Sequence, residues 1–493
     1  MANVCFYYSS PGSRPYYRIV HLVKKEVTMR FRTTLILMVI FIVLLTGVVL
    51  IEHHSEVTKE KKEKQEQLTD IKSAEIEKIS LKNEGQPTIT LQKDDKGNWK
   101  IIEPLVTEAD NYEANSLAEN FAGLRIEKVV EKQAQAQDLK AYEIPKKEVI
   151  LWVKGQKQPI KILIGMENPL DNTLYAKRED QSQVVLLPSY LKYSLDKKLF
   201  DLRKKELLKF ETKDVQAIEV HSKDLNWKAR RQGENWLLVQ PVEALAAKSQ
   251  IDSLLDKLSG LKAKDFLVEE KKDEDLKNYN LDKPEFTIKL DLPSAEQISI
   301  QLAKKGERLI ASSSLSKKII EIDNQILTDL NKKIDDWREK KVANFNSWEV
   351  TSISIKRVNQ IIAANKEKVT EKGKEEEKWQ LQAEGNKKEL ADESKIESVL
   401  RKLEYLEASG FIDQPTNLSD YGLDKPEIEI IIKSQPQDQE AQEIRLLLGK
   451  DDKTKKQVVV KNASWKYLFL VDDSFLSELP TKIDDWKKVE NKK

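Results

Sequence analysis

Residues 33–51, TTLILMVIFIVLLTGVVLI, carry no charge, and only Thr33, Thr34, Thr46 and Gly47 among them are not plainly apolar. As a helix this run would reach about 28 Å, close to the thickness of a bilayer's hydrocarbon core. A soluble helix turns one face to water and has no use for an apolar surface all the way round. The run therefore predicts a single transmembrane helix.

The flanks predict its orientation. Lys24, Lys25, Arg30 and Arg32 precede the run, and Glu52, His53, His54, Ser55 and Glu56 follow it. The positive-inside rule then puts the N-terminus in the cytoplasm and the bulk of the chain outside. Of the 84 Lys/Arg and 83 Asp/Glu, residues 1–51 hold six and one, leaving 78 and 82 for the remaining 442 residues. An apolar run this long, with no A-x-A site after it, is expected to stay as a signal anchor rather than be cleaved. Met29 opens MRFRTTLIL, and the reading places the start of translation there; residues 1–28 are otherwise a short cytoplasmic tail. The lone cysteine, Cys5, leaves the external part without disulfides, which suits a bacterial periplasm and makes packing alone responsible for every core.

Residues 52–72, EHHSEVTKEKKEKQEQLTDIK, read as a solvated stalk, with Lys59/Glu63, Glu60/Lys64 and Lys62/Glu66 paired at i,i+4. His53 and His54 point apart on a helix and have no third ligand nearby, so no metal site is expected.

Beyond the stalk the sequence repeats three times, with a period of about 140 residues. A hairpin tryptophan marks each copy: Trp99, Trp236 and Trp379. Each is followed by a helix starting at Ala109-Asp110, Ala246-Ala247 or Ala391-Asp392. Counted from that Ala, the apolar positions coincide as Ala114/Ile251/Ile396, Leu117/Leu254/Val399, Phe121/Leu258/Leu403 and Leu124/Leu261/Leu406. Steps of three and four put them on one helical stripe. A Tyr–Pro turn follows, Tyr421-Gly422-Leu423-Asp424-Lys425-Pro426, matched by Tyr279-Asn280-Leu281-Asp282-Lys283-Pro284 and more loosely by Tyr142-Glu143-Ile144-Pro145. Proline fixes φ and extends its predecessor, so strands are expected to begin there. Each copy closes on a tail: Phe200-Asp201-Leu202-Arg203, Asp335-Asp336-Trp337-Arg338 or Asp484-Asp485-Trp486-Lys487.

The predicted fold class is α+β: one N-terminal transmembrane helix, then three duplicated α+β units with mainly antiparallel sheets. The expected divisions are 1–32 (tail), 33–51 (membrane helix), 52–72 (stalk) and units at 73–206, 207–342 and 343–493. A charged insertion at 366–378 is expected to form a mobile hairpin tip.

Chemistry is nearly absent from the pattern. Gly makes up only 15 of 493 residues, against a usual ~7 %, and no phosphate loop, dinucleotide fingerprint, nucleophile elbow or Cys-x-x-Cys occurs. The near-neutral balance, net +1, excludes a general nucleic-acid binder. His221, on a strand-like run, reads as a half-exposed sheet residue. Asp201, Asp336 and Asp485 are the best carboxylates for a hydrolase, yet Arg203, Arg338 and Lys487 two residues on suggest local ion pairs or caps. Trp99, Trp236 and Trp379 suit a carbohydrate- or peptide-stacking platform, or more simply hairpin closure. The expected catalytic, cofactor and metal residues are therefore none, and the chain is expected not to be an enzyme.

The basic lead, single anchor, hairpin Trp, Ala-Asp helix start and Tyr421–Pro426 turn resemble a bacterial membrane-anchored family known only as domain of unknown function four-three-four-zero. The resemblance covers roughly residues 29–493; unit 1 departs at Tyr142–Pro145, and unit 2 lacks the Asp after its Ala. It implies an envelope protein of the inner membrane with no assigned reaction or cofactor. Some members are encoded beside gliding-motility-type ABC transport components. The expected partner is thus a protein of the envelope, with no nucleic acid.

Overall fold

The computed structural model describes residues 67–488, apart from 294–296, 372–373, 383–387 and 438–439, together with Met38 and Phe41. The predicted membrane run thus lies outside the described residues except at Met38 and Phe41, both helical and exposed. Among the described residues no helix is long and apolar enough to cross a membrane. The stalk lies outside them as far as residue 66. Its last residues belong to the first repeat instead, because Leu68 is 1 % exposed in that repeat's core. Thr69 Oγ1 also donates to the Phe121 carbonyl at 2.8 Å.

The chain forms two compact units, one reaching to Lys204 and one beginning at Lys205. The first is a single repeat. Its strands are β1 (Ile76–Asn83), β2 (Ile89–Lys93), β3 (Trp99–Glu103), β4 (Thr107–Glu108), β5 (Lys128–Glu131), β6 (Lys147–Val153), β7 (Ile160–Glu167), β8 (Leu174–Arg178) and β9 (Val184–Leu187). They pair in the order β4-β3-β2-β1-β6-β7-β8-β9-β5, antiparallel throughout. Period-two burial is clear in β6, where Val149, Leu151 and Val153 are buried and the residues between them only partly covered. That face shares its core with helix α1 (Asn111–Ala122), whose stripe Ala114, Leu117 and Phe121 is buried as the spacing predicts. The second unit holds two more sheets of nine strands in the same order, with helices α2 (Lys248–Ser259) and α3 (Glu393–Glu404).

The sequence reading missed two kinds of strand. Short β4 and half-exposed β5 carry no alternation to betray them, and β5 finds its partner only in β9, far along the chain. The charged insertion forms the expected hairpin. Strands Gln360–Glu371 and Lys374–Gln382 form an unbroken ladder that sets Glu367 opposite Lys378 and Lys368 opposite Glu377, so opposite charges support the pairing.

The tails close each repeat. Asp110 N donates to Leu202 O, Ala247 N to Trp337 O and Asp392 N to Trp486 O, each at 2.8 Å. One orphan donor at the start of each of these three helices is thereby satisfied. In the first and third repeats the Tyr–Pro turn presses closely on a strand, and in the second the matching position carries Ala303. Glu143, Asn280 and Gly422 take φ of 53°, 62° and 70°. A Cβ added at Gly165 or Gly449 would stand 2.1 Å from the carbonyl oxygen of Tyr142 or Tyr421.

Within the second unit the two repeats share a joint. Ala244, on the edge strand Ala244–Leu245, is fully buried in the core of the third repeat, with Val242 packed beside it. Arg338 is 1 % exposed; its guanidinium lies 3.7 Å from the Phe411 ring centre and 4.6 Å from that of Tyr467, and it pairs with Asp413. Burial pushes the Tyr467 phenol up to about 12 despite the neighbouring Arg338. The matching edge of the third repeat is polar: Glu389 replaces Ala244 and meets Lys487, the counterpart of Arg338, at 2.9 Å.

Two expectations follow. Gly449→Ala forces backbone apart and should lower stability by about 1–3 kcal/mol, read from thermal or urea unfolding. Arg338→Ala strands Asp413 and opens the joint. It should cost about 2 kcal/mol or more and split a single melting transition into two by calorimetry.

Candidate functional site

The tail aspartates are helix caps. Asp201 and Asp336 each accept the backbone N–H three residues earlier, from Lys198 at 2.8 Å and Lys333 at 3.2 Å. Asp485 accepts those of Thr481 at 2.8 Å and Lys482 at 3.1 Å, and these bonds hold its carboxyl below the usual carboxylate range. The bases two residues on turn elsewhere: Arg338 to Asp335 and Asp413, Lys487 to Asp484 and Glu389. Each aspartate closes its own repeat, and none lines either cavity described below. His221 lies half-exposed on strand Ala217–Ser222 against Glu219, which also accepts from Lys228 at 3.3 Å. Burial opposes ionisation of Glu219, but the hydrogen bonds from His221 and Lys228 outweigh it and lower its pKa. His53 and His54 lie outside the described residues. Among the described residues no group of three or more His, Cys, Asp or Glu could hold a metal ion.

The hairpin tryptophans are buried at 1 %, 0 % and 2 % exposure, so they pack rather than form an open platform. Register gives each a cation. Lys93, Arg231 and Lys366 are the cross-strand partners of Trp99, Trp236 and Trp379, and stand 4.9, 4.6 and 5.3 Å from their ring centres. The same cations donate to carbonyls of a short 3-10 turn: Lys93 to Ala74 at 3.3 Å, Arg231 to Thr212 at 3.3 Å, Lys366 to Trp348 at 3.2 Å.

One difference separates the third repeat. Trp99 Nε1 donates to Asn115 at 2.8 Å and Trp236 Nε1 to Asp252 at 3.0 Å. Trp379 Nε1 is buried and has no acceptor among the described residues. It lines a cavity of about 330 Å³, together with Trp348, Lys366, Glu397, Arg401, Glu404 and Tyr405. Glu404 is 5 % exposed and accepts Ser347 N at 3.3 Å. Glu397 and Arg401 form only a loose pair at 3.9 Å. Trp348 and Tyr405 stand exposed at the rim. Apart from Trp379 and Lys366 these residues went unread in the sequence, although aligning the three helices from their Ala would have shown Arg401 where the other repeats carry Glu119 and Asp256.

A larger cavity of about 630 Å³ opens in the first unit over Leu81, Ile89 and Phe200, with Lys147, Lys197 and Lys198 at its edge. Lys147 is paired with Asp196 and Lys197 with Glu113.

The family model described as Domain of unknown function (DUF4340) matches residues 99–237 and 236–426, more than half of the chain. No curated protein matches. Among solved structures, the chain is similar to the DNA polymerase III subunit beta from Pseudomonas aeruginosa at 9 % identity. That likeness covers 81 % of this chain and 93 % of that one, with a TM-score of 0.13, too low to indicate a shared fold.

Replacing Asp201, Asp336 and Asp485 together by Ala should leave function in cells intact while lowering stability by about 0.5–1 kcal/mol per cap. The depressed pKa of Asp485 makes its contribution fully present above the ordinary carboxylate range and lost as pH falls through the folded value. The stability difference between wild type and Asp485→Asn should therefore narrow in acid, as read by melting at neutral and low pH.

Proposed function

We propose that this chain, which belongs to the DUF4340 family, is a single-pass envelope protein of the bacterial inner membrane whose external repeats act as a non-catalytic binding or scaffolding module, accessory to a transport or envelope complex. The observation that carries the reading is how the repeated positions are spent. Tryptophans, tail carbonyls and capping aspartates close each fold, and the carboxylates best placed by sequence for hydrolysis are tied to backbone N–H groups. The apolar run at 33–51 and the basic residues before it support an anchor with the repeats on the periplasmic side. The buried joint at Arg338 supports a stiff body able to hold a partner in a set orientation.

Tethering turns an encounter with a membrane neighbour into a local one, at effective concentrations of about millimolar. Crosslinking in whole cells should accordingly capture an integral membrane protein, and residues 67–493 released without the anchor should fail to complement a deletion. Full complementation by the released fragment would reject the scaffold and leave the anchor as simple retention.

A further inference from the structure

The three repeats act as controls for one another. They share the hairpin Trp, its cross-strand cation and a 3-10 turn with a carbonyl that the cation meets, the middle one in the first and third repeats and the first one in the second. Around that common frame the third repeat changes five positions. Trp348 stands at the middle of the 3-10 turn, where the others have Ala74 and Lys213. Tyr405 is the helix C-cap, where they have Gly123 and Gly260. Glu397 replaces Asn115 and Asp252, Arg401 replaces Glu119 and Asp256, and Glu404 replaces Ala122 and Ser259. All five changed residues line the cavity over Trp379.

None of the changes is needed by the fold, which the first two repeats build without them. One of them works against it. A buried N–H without an acceptor costs about 1–3 kcal/mol, and exchanging Asn or Asp for Glu397 leaves Trp379 Nε1 in that state. A ligand oxygen would supply the missing acceptor.

The chemistry of the lining selects the ligand. Two flat aromatic rings at the rim, Trp348 and Tyr405, suit an apolar face. Donors (Trp379 Nε1, Arg401, Lys366) and acceptors (Glu397, Glu404) meet in a cavity at the small end of ligand pockets. Two cations against two acids favour neither an anion nor a cation. A pyranose presents a C–H face with hydroxyls around its edge that both donate and accept.

From this match we infer that the Trp379 cavity of the third repeat is a carbohydrate-binding site for a neutral pyranose unit, stacked on Trp348 or Tyr405 and hydrogen-bonded to Trp379 Nε1 and Glu397. The site deepens the binding-module reading and rests on it only in being non-catalytic.

The test uses the full chain purified in a detergent without sugar headgroups, titrated calorimetrically with cellotetraose, N-acetylchitotetraose, glucose and tetra-alanine. Saturable binding of a sugar in the millimolar range or tighter is expected, with tetra-alanine inert. The double variant Trp348→Ala/Tyr405→Gly restores the side chains of the first repeat at exposed positions. It should keep the wild-type melting temperature and lose about tenfold or more in affinity, and Glu397→Gln should weaken binding alone. Tighter binding of a tetrasaccharide than of glucose assigns a glycan chain, and equal binding a free sugar; both uphold the site. Absence of saturable sugar binding, binding unchanged in the double variant, or binding of tetra-alanine in place of sugar overturns it. A tetrasaccharide that binds and is then cut would sink the non-catalytic reading and leave the site standing, whereas loss of sugar binding with in-cell capture intact would sink the site alone.

Discussion

A chain without disulfides in its repeats must bring the end of each unit back to its middle by hydrogen bonding and burial. The backbone bond from the residue before each helix to the tail, 2.8 Å in all three repeats, does this. Beside it a large apolar side chain, Leu202, Trp337 or Trp486, is buried. The bond fixes the helix start, and the helix start fixes which face of the sheet it covers. The central strands can then present the alternating pattern seen in β6. The capping aspartates follow from the same closure: a turn that must end in a carbonyl aimed at the helix needs its own N–H groups satisfied from within.

Once closure is secured locally, the remaining surface is free to diverge. The second and third repeats show two uses of that freedom. One edge became apolar around Ala244 and Arg338 and entered the core of the neighbouring repeat. The helix flank of the third repeat kept the shared tryptophan and exchanged the residues around it. A buried guanidinium against two rings draws on their faces and on Asp413 in place of part of the water it gives up, while its Nε and Nη2 keep no hydrogen-bond partner among the described residues.

Much of this architecture could be read from residues. The helix stripes, the hairpin tryptophans and the Ala-Asp helix starts lie where spacing places them, since local periodicity and capping determine them. What escaped reading was non-local. Strand β5 pairs with β9 across most of the repeat, and Leu68 reaches its core from a stretch that reads as solvated stalk. The cavity over Trp379 escaped for a related reason. Its walls come from a turn, a hairpin and a helix flank, and each of Trp348, Lys366 and Arg401 reads alone as ordinary surface.

At one edge of the sheets the outermost strand is brief: Thr107–Glu108 in the first repeat and Lys388–Leu390 in the third, the latter bearing Lys388, Glu389 and a nearby Lys487–Glu389 pair. A strand of two or three residues offers few open N–H and C=O groups, and charge beside it discourages a flat approach. Nine-stranded antiparallel sheets are otherwise good templates for edge-to-edge polymerisation. At this edge, molecules of the chain crowded side by side meet few open backbone groups to pair with.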